Sequence, residues 1–595
     1  MSRPHERVVS DLRLVGTLGR ALPGMARAWP GREYSVADVL EAQAARHADR
    51  VALLSNDEVI TYRELDRRSN QVGRWAQDQG LGQGDVVGLL MGNRPDYAVH
   101  WLGLAKVGVT TALLNTNLGG RSLAHSITVA NAQRVIVDAA LADNWTSAAA
   151  TLDEVPAAWA SRGAVAGAED LDAALSEEAS AHLGRRARRG LRTTDRLFYI
   201  YTSGTTGLPK AANFSHQRFI GAAEGAKAIT RMGSGDRMYI SLPLYHTAGG
   251  VMALGGALMA GAAAVIAPRF SVSRFWDDCM RHDVTAFQYI GELCRYLLHS
   301  PPHPHERDHG IRVCLGNGLR PEVWAPFQER FAIPRIVEFY SATEGNVTLL
   351  NVDNRVGSVG RMPPAMRRGI GMHLLQVDIE SEDVVRGPDG FCREAAVGEV
   401  GEAVGRITRT VPFEGYSDAE ATEAKVLRNV FRKGDAYFRT GDLLRRDGDH
   451  YFYFVDRMGD TFRWKGENVA TSEVGEVIHG CPGVREATVY GVAVPGTDGR
   501  AGMAALAVGD GFDLDDMAAI VAEQLAPYAR PMFLRIQPEL DITGTFKHRK
   551  VELAADGFDP ADVTDPLYFF DPDQHRYVVL DEALHRRVMD GDIRL

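Results

Sequence analysis

YTSGTTGLPK, Tyr201 to Lys210, is the stretch around which this chain is organised. The apolar and aromatic run just before it, from Leu197 to Tyr201, reads as a buried strand. Thr202, Ser203, Thr205 and Thr206 then alternate with Gly204 and Gly207. Glycines let a backbone approach an anion closely. Hydroxyls and freed N–H groups donate to phosphate oxygens, and Lys210 adds a positive charge. This composition suits a polyphosphate. The loop is not the Gly-x-x-x-x-Gly-Lys-Ser/Thr type, because Pro209 precedes Lys210 and Ala211 follows it. AANFSH, from Ala211, reads as a second short strand, with a helix beginning near Gln217. The loop therefore joins two strands and has no helix dipole behind it.

Outward from this loop, the composition sets bounds. A chain of 595 residues exceeds one hydrophobic core, so at least two domains are expected. The net charge of −11 argues against a nucleic-acid partner, which calls for a basic face. Five scattered cysteines without CxxC spacing argue against a disulfide framework or zinc site and fit a reducing cytoplasm. Residues 1–34 read as a leader of mixed charge and weak amphipathic character, without the apolar run of a signal peptide. The most apolar stretch, Val251 to Ala267, reads as a helix turning into a buried strand. GRRARRG, Gly184 to Gly190, reads as a solvated linker and leaves peripheral contact with anionic lipid open.

From Ser35 the pattern is regular. Helices are expected from Val36 to Arg46, over the TYRELDRRSNQVGRWAQDQG run and over 97–107. Strands are expected at VALLS (51–55), VVGLLM (86–91) and near Thr110 to Leu114. The alternation means α/β layers, with helices flanking a mostly parallel sheet. Residues 140–195, rich in Ala and charge, are expected to form surface helices and a linker. PLYHTAGG (243–250) places His246 in a loop with a helix beginning near Gly249. VTAFQYIGELCRYLL (284–298) is a strand-to-helix transition whose Ile290, Leu293, Cys294, Leu297 and Leu298 share helical spacing. Its stripe reads as core packing or as one wall of a ligand tunnel. HPHERDHG (303–310) lacks defined ligand spacing and reads as a surface loop. IVEFYSATEGN (336–346) would deliver Tyr340 and Glu344 to the carboxyl edge of a sheet, where α/β proteins bind nucleotides. In YFRTGDLLRRD (437–447), Asp442 follows a Thr-Gly turn, and a carboxylate there can accept both ribose hydroxyls. Residues from about 460 read as a small α+β module with strands at 484–494 and 501–508 and a helix at 517–525.

A Ser/Thr/Gly cluster alone is usually a polar turn. In order and spacing, however, Tyr201 to Lys210 resembles the phosphate loop of the adenylate-forming enzymes: acyl-CoA synthetases, peptide-synthetase adenylation domains and luciferases. The string 284–298 and the tail DPLYFFDPDQHRYVVLDEALHRRVMDGDIRL resemble the fatty acid transport protein and very-long-chain acyl-CoA synthetase family. The resemblance covers about Ser35 to Leu595. It implies a large α/β adenylation domain over 35–458 and a small mobile α+β domain over 459–595. It also implies that Thr202, Ser203, Gly204, Thr205, Thr206, Gly207 and Lys210 cradle the phosphates of ATP. Gly316, Asn317, Gly318 and Tyr340 would enclose the adenine, Thr343 would touch the α-phosphate, and Glu344 would hold Mg2+. Asp442 and Arg457 would reach the ribose or phosphate, and His246 would pack beside the acid. Tyr245-His246 stands where amino-acid-activating relatives carry Asp, so the acid is not expected to be an amino acid. In ITGTFKHRKVEL (542–553), Lys547 aligns with the catalytic lysine, although Phe546 replaces the usual Gly. The hinge falls at Gly459, where many relatives carry Asp or Lys.

The implied activity is ATP-dependent ligation of a long-chain or very-long-chain fatty acid to CoA, with a role in fatty acid uptake by trapping. Three alternatives stand beside it: a fatty acyl-AMP ligase serving a carrier protein, a CoA ligase for a sterol acid, and a fatty acid carrier without chemistry. The intact Thr/Gly/Lys loop, Glu344, Asp442 and Lys547 argue against the last.

Overall fold

In the computed structural model the strand before the phosphate loop spans Arg196–Ser203 and pairs antiparallel with Pro209–Ser215, Thr202 facing Lys210 and Ser203 facing Pro209. The structure describes residues 4–203, 208–379, 381–464, 467–495, 497, 499–540, 550–572 and 574–593. The chain forms two units, Met1–Met366 with Arg406–Leu427, and Arg367–Gly405 with Arg428–Leu595.

The first unit is α/β, as the alternation implies. One sheet runs in the order Ala168–Asp170, Ala157–Ser161, Arg134–Asp138, Val86–Leu90, Thr110–Leu113, Arg196–Ser203, Pro209–Ser215, and only the last strand is antiparallel. In the other, Ile336–Ser341, Val313–Asn317, Ala286–Ile290, Arg237–Ile240, Ala263–Ile266 and Val51–Leu54 lie side by side and parallel. Parallel strands covered on both faces read as continuous apolar runs, and Val86–Leu90 is buried throughout. Phe198 meets Trp101 and Phe219 edge-on in the core, and Trp101 tilts against Phe219, with centroids 5.1–5.9 Å apart.

Several local expectations change. The leader contains a 24-residue helix, Pro4–Arg27. Residues 140–195 contribute two strands to the first sheet; AAWAS is Ala-rich and so resembles helix, but Trp159 is buried and its strand pairs with Arg134–Asp138. Arg188 of GRRARRG is not solvated. It is 5% exposed and bonded to Asp38 and Glu41 at 2.6–2.9 Å. The helix after PLYH starts at Thr247, two residues early, as a π-helix to Gly255.

The second unit is α+β. Its five-stranded sheet takes the order Val484–Ala493, Arg500–Val508, Phe533–Gln537, Leu567–Asp571, Arg576–Val579, with Thr471–His479 and Leu514–Gln524 among its helices. Ala436–Arg446 and Tyr451–Arg457 form an antiparallel pair in the same unit.

Candidate active site

In the first unit the parallel strands end together, and the predicted residues follow their carboxyl ends. Gly316 and Asn317 close Val313–Asn317, and Thr343 and Glu344 follow Ile336–Ser341. Chain approach here requires glycine. A Cβ on Gly316 would lie 2.2 Å from the Tyr289 carbonyl oxygen, and one on Gly291 would lie 1.8 Å from that of Gly318. Beneath the loop, fully buried Glu338 accepts hydrogen bonds from the Leu319 N–H at 3.2 Å and the Tyr289 hydroxyl at 2.5 Å. Burial pushes its carboxyl up to about 8. Tyr340 is half-buried at the strand's end, opposite Leu349.

Glu344 and Lys210 meet at a residue that the sequence did not flag. The Tyr416 hydroxyl donates to Glu344 Oε1 at 2.8 Å, and Lys210 Nζ lies 5.9 Å from the centroid of the same ring. Backbone pairing brings Tyr416 there. The Asn213 N–H donates to the Gly415 carbonyl and the Ser417 N–H to that of Ala211, both at 2.9 Å. The Asn213 amide adds bonds to the carbonyls of Glu414 and Tyr416.

Arg218 was also missed. It stands in the first turn of His216–Thr230, where Ser215 caps the helix. Its guanidinium donates to the carbonyls of Glu344 at 2.9 Å, Ala342 at 3.1 Å and Gly345. Burial lowers its pKa, and Glu414 and Glu344 oppose that shift. Neither residue carries a local signal. An Arg after a helix cap reads as surface, and Tyr416 stands among turn formers.

Thr343 Oγ1 lies 3.1 Å from Thr247 Oγ1, which joins the acidic loop to the helix after His246. The rings of His246 and Tyr245 are 4.5 Å apart. Tyr245 is buried, which pushes its hydroxyl up to about 12, and it accepts from the Asn117 amide at 3.4 Å. His309 of HPHERDHG is occupied structurally: its ring stacks on Trp276, and its Nε2 donates to the Phe331 carbonyl. Among the described residues there is no cluster of three or more His, Cys, Asp or Glu side chains that could hold a metal by themselves.

In the second unit, Asp442 and Arg457 face each other across the strand pair, with Arg457 Nε 3.2 Å from Asp442 Oδ1. The carboxylate side chain is 8% exposed and the guanidinium 55%. Asp442 does not follow a turn. It lies inside Ala436–Arg446, directly after Gly441 at φ +75°. Lys550 Nζ binds Asp460 at 3.1 Å and Thr471 Oγ1 at 2.8 Å. Residues 204–207 of the phosphate loop, and Lys547, lie outside the described residues, as does the side chain of Ser203.

Residues 40–391 match the model of the AMP-binding enzyme family, and residues 473–547 match that of the AMP-binding enzyme C-terminal domain. The chain is 41% identical over 570 residues to long-chain fatty acid transport protein 2 of Rattus norvegicus, covering 94% of this chain and 92% of the relative. It is 39% identical over 582 residues to the medium/long-chain-fatty-acid–CoA ligase FadD6 of Mycobacterium tuberculosis, covering 96% and 93%. The crystal structure of the anthranilate CoA ligase AuaEII in complex with anthranoyl-AMP superposes with a TM-score of 0.75 at 21% identity, over 88% of this chain and 97% of that one. The chain belongs to the AMP-binding enzyme family, within the branch of the long-chain fatty acid transport proteins.

Proposed function

We propose that the chain is an ATP-dependent long-chain or very-long-chain fatty acyl-CoA synthetase. It converts acid, ATP and CoA into acyl-CoA, AMP and pyrophosphate by way of an acyl adenylate. Likeness to a fatty acid transport protein and to a fatty acid–CoA ligase over more than nine-tenths of the chain supports the acid class. The convergence of Lys210 and Glu344 on Tyr416 carries the chemistry.

A thiol attacks a free carboxylate poorly, because the leaving group is oxide. Joining the acid to AMP supplies a good leaving group. In that first step a carboxylate attacks the α-phosphorus, so two anions meet and charge neutralisation is the main task. Lys210 and the hydroxyls and amides of Thr202 to Gly207 hold the β- and γ-phosphates. Thr343 donates to the α-phosphate. Gly316 to Gly318 and Tyr340 bracket the adenine, Asp442 accepts from the ribose hydroxyls, and Arg457 reaches the ribose or phosphate. Tyr416 occupies one oxygen of Glu344, and among the described residues the other accepts no hydrogen bond. That donor set fits Mg2+, which is held by one or two carboxylates together with phosphate oxygens. Bound there, the ion supplies positive charge to the departing pyrophosphate.

Lys547 bridges the acid and the α-phosphate in the first step. For the second, residues 459–595 turn about Gly459, withdraw Lys547 and bring the 464–468 segment to the path of CoA. His246 and Tyr245 flank the carboxylate end of the acid. Trapping the acid as its CoA thioester couples the reaction to uptake. A cytoplasmic site fits the five free, buried cysteines.

Mass spectrometry of products tests the proposal. The protein is given ATP, Mg2+ and medium- to very-long-chain fatty acids or a sterol acid, with and without CoA. CoA-dependent acyl-CoA and AMP are expected from the fatty acids. Acyl-AMP that accumulates untouched by CoA would move the assignment to a carrier-protein ligase. Turnover of the sterol acid alone would move it to a sterol-acid ligase. No AMP from any acid would overturn catalysis on these classes.

A further inference from the structure

A second concave feature of the first unit lies at the far end of the strand that leads into the phosphate loop. The strands Val86–Leu90, Thr110–Leu113 and Arg196–Ser203 run parallel, and the phosphate loop leaves the carboxyl end of the last. At their amino ends opens a cleft of about 750 Å3, bordered by Gly84, Gly108, Thr110 and Arg196, and by Arg409 and Glu414 of the segment that leads to Tyr416. All of its lining belongs to the first unit. The eight residues of Arg196–Ser203, at about 3.3 Å each, put roughly 23 Å of strand between the cleft and the phosphate loop. Open α/β sheets bind nucleotides at the carboxyl ends of their strands, so the cleft is no part of the candidate active site. Its volume falls in the range of small-molecule pockets.

Charge and unmet hydrogen bonds indicate the ligand. Arg192, Arg196 and Arg409 line the cleft, in a chain whose net charge is −11. Among the described residues none of the three forms an ion pair. Two carboxylates also border the cleft, but neutral donors hold both. Asp195 accepts from the Arg192 backbone N–H at 2.7 Å and from the Gln83 amide at 2.9 Å. Glu414 accepts from the Ser215 N–H at 2.8 Å and from its hydroxyl at 2.5 Å. The Arg192 guanidinium donates to the Gly31 carbonyl at a long 3.4 Å. Half-buried Arg196 rests its guanidinium 4.3 Å from the centroid of the Tyr199 ring, and its buried Nε has no protein partner among the described residues. The buried Oδ1 of Asn213, also in the lining, likewise has none. A buried donor and a buried acceptor left over in one cleft mark polar positions that a bound molecule satisfies. Unpaired guanidiniums suit phosphate, which they grip bidentately, and a phosphate monoester brings nearly two negative charges. Asn213 Oδ1 calls for a hydroxyl or amine donor on the same molecule. We infer that this cleft binds a soluble phosphate monoester that also carries hydroxyls, the class of nucleotides and sugar phosphates. Asn213 also holds the segment that ends at Tyr416, so the ligand would rest on the support of the candidate active site. The cleft does not depend on the catalytic assignment.

The test is equilibrium dialysis of the full chain with radiolabelled AMP or ribose 5-phosphate, set against adenosine and ribose. A non-hydrolysable acyl sulfamoyl adenosine fills the candidate active site throughout, so that the remaining binding reports on the cleft. Binding of AMP, ribose 5-phosphate or both is expected, weakened by high salt, while adenosine and ribose stay free. Arg409→Glu changes an exposed side chain. It should keep the wild-type melting temperature and raise the dissociation constant about tenfold or more. Arg196→Lys keeps the charge but removes the Nε donor and the planar fork, and should weaken binding as well. The inference is overturned if neither phosphate ester binds the analogue-filled chain. It is equally overturned if adenosine and ribose bind as well as their phosphates, or if both variants bind as the wild type does. Failure of the catalytic reading shows separately, because Arg409→Glu without the analogue would then bind no AMP.

Discussion

The Tyr416 hydroxyl donates to Glu344 Oε1 across 2.8 Å, while the same ring stands 5.9 Å from Lys210 Nζ. One buried phenol thus orients the carboxylate assigned to the cation and borders the lysine assigned to the phosphates. Tyr416→Phe keeps the ring and the backbone pairing but removes the donor. A hydrogen bond to a charged group is worth about 1.5 kcal/mol or more, so the half-saturating Mg2+ concentration for acyl-AMP formation should rise by about tenfold. The melting temperature should stay near wild type. A Mg2+ titration unchanged in the variant would show that the phenol does not position this carboxylate.

Arg218 closes the loop that carries Glu344 by donating to three of its carbonyls. Arg218→Met leaves those carbonyls without their donor and should destabilise the fold by about 2–4 kcal/mol. Arg218→Lys keeps the charge, but a compact ammonium cannot reach three acceptors laid out for a planar fork, so KM for ATP should still rise. Thermal melts and ATP saturation curves check both. A Met variant that melts with the wild type would mean that the loop holds itself.

Glu338 sets a pH dependence of stability. Burial raises its carboxyl to about 8 from the ordinary 4.5, and the Tyr289 hydroxyl and the thiols of Cys294 and Cys314 beside it are likewise held protonated by burial. Between pH 4.5 and 8 the native state keeps a proton that the unfolded chain has released. Stability therefore falls as pH rises through that window and levels off above it. Glu338→Gln cannot ionise and should lack this component. Its stability relative to wild type should improve by about 2–4 kcal/mol between pH 5 and pH 8. Denaturant unfolding at the two pH values measures this. Equal slopes for variant and wild type would place the ionisation elsewhere.

Much of this fold is local in origin and was legible for that reason. The strand Arg196–Ser203 announces itself by an apolar run before a Thr/Gly loop, and its partner follows within a few residues. The strand pair that sets Asp442 opposite Arg457 is equally close in sequence. Tyr416 is different. It reaches the phosphate strand by bonding Asn213, 203 residues earlier, and neither segment alone carries a pattern that implies the other. AAWAS misleads because alanine favours helix in isolation, whereas here burial between neighbouring strands decides. The leader's helix was hidden because its two apolar faces blur the single stripe expected of a surface helix.

The proposed division of labour between the half-reactions gives the last prediction. Lys550 is tied to Asp460 and Thr471, which anchors the far end of the basic run that contains Lys547 next to the proposed hinge at Gly459. Gly459, just before Asp460, has nothing within 4 Å of where a Cβ would lie, so a substitution there adds no clash and acts on backbone freedom alone. Lys547→Ala should lose about 3–4 kcal/mol of transition-state stabilisation in acyl-AMP formation, by analogy with deleting an oxyanion donor. It should still convert supplied acyl-AMP and CoA to thioester. Gly459→Pro should do the opposite, because a fixed φ stiffens the turn on which the second step depends. Each half-reaction is followed separately, by pyrophosphate release and by thioester formation from synthetic acyl-AMP. Equal loss of both steps in Lys547→Ala would refute the assignment of that lysine to the first. A Gly459→Pro variant with both steps intact would move the hinge to another residue.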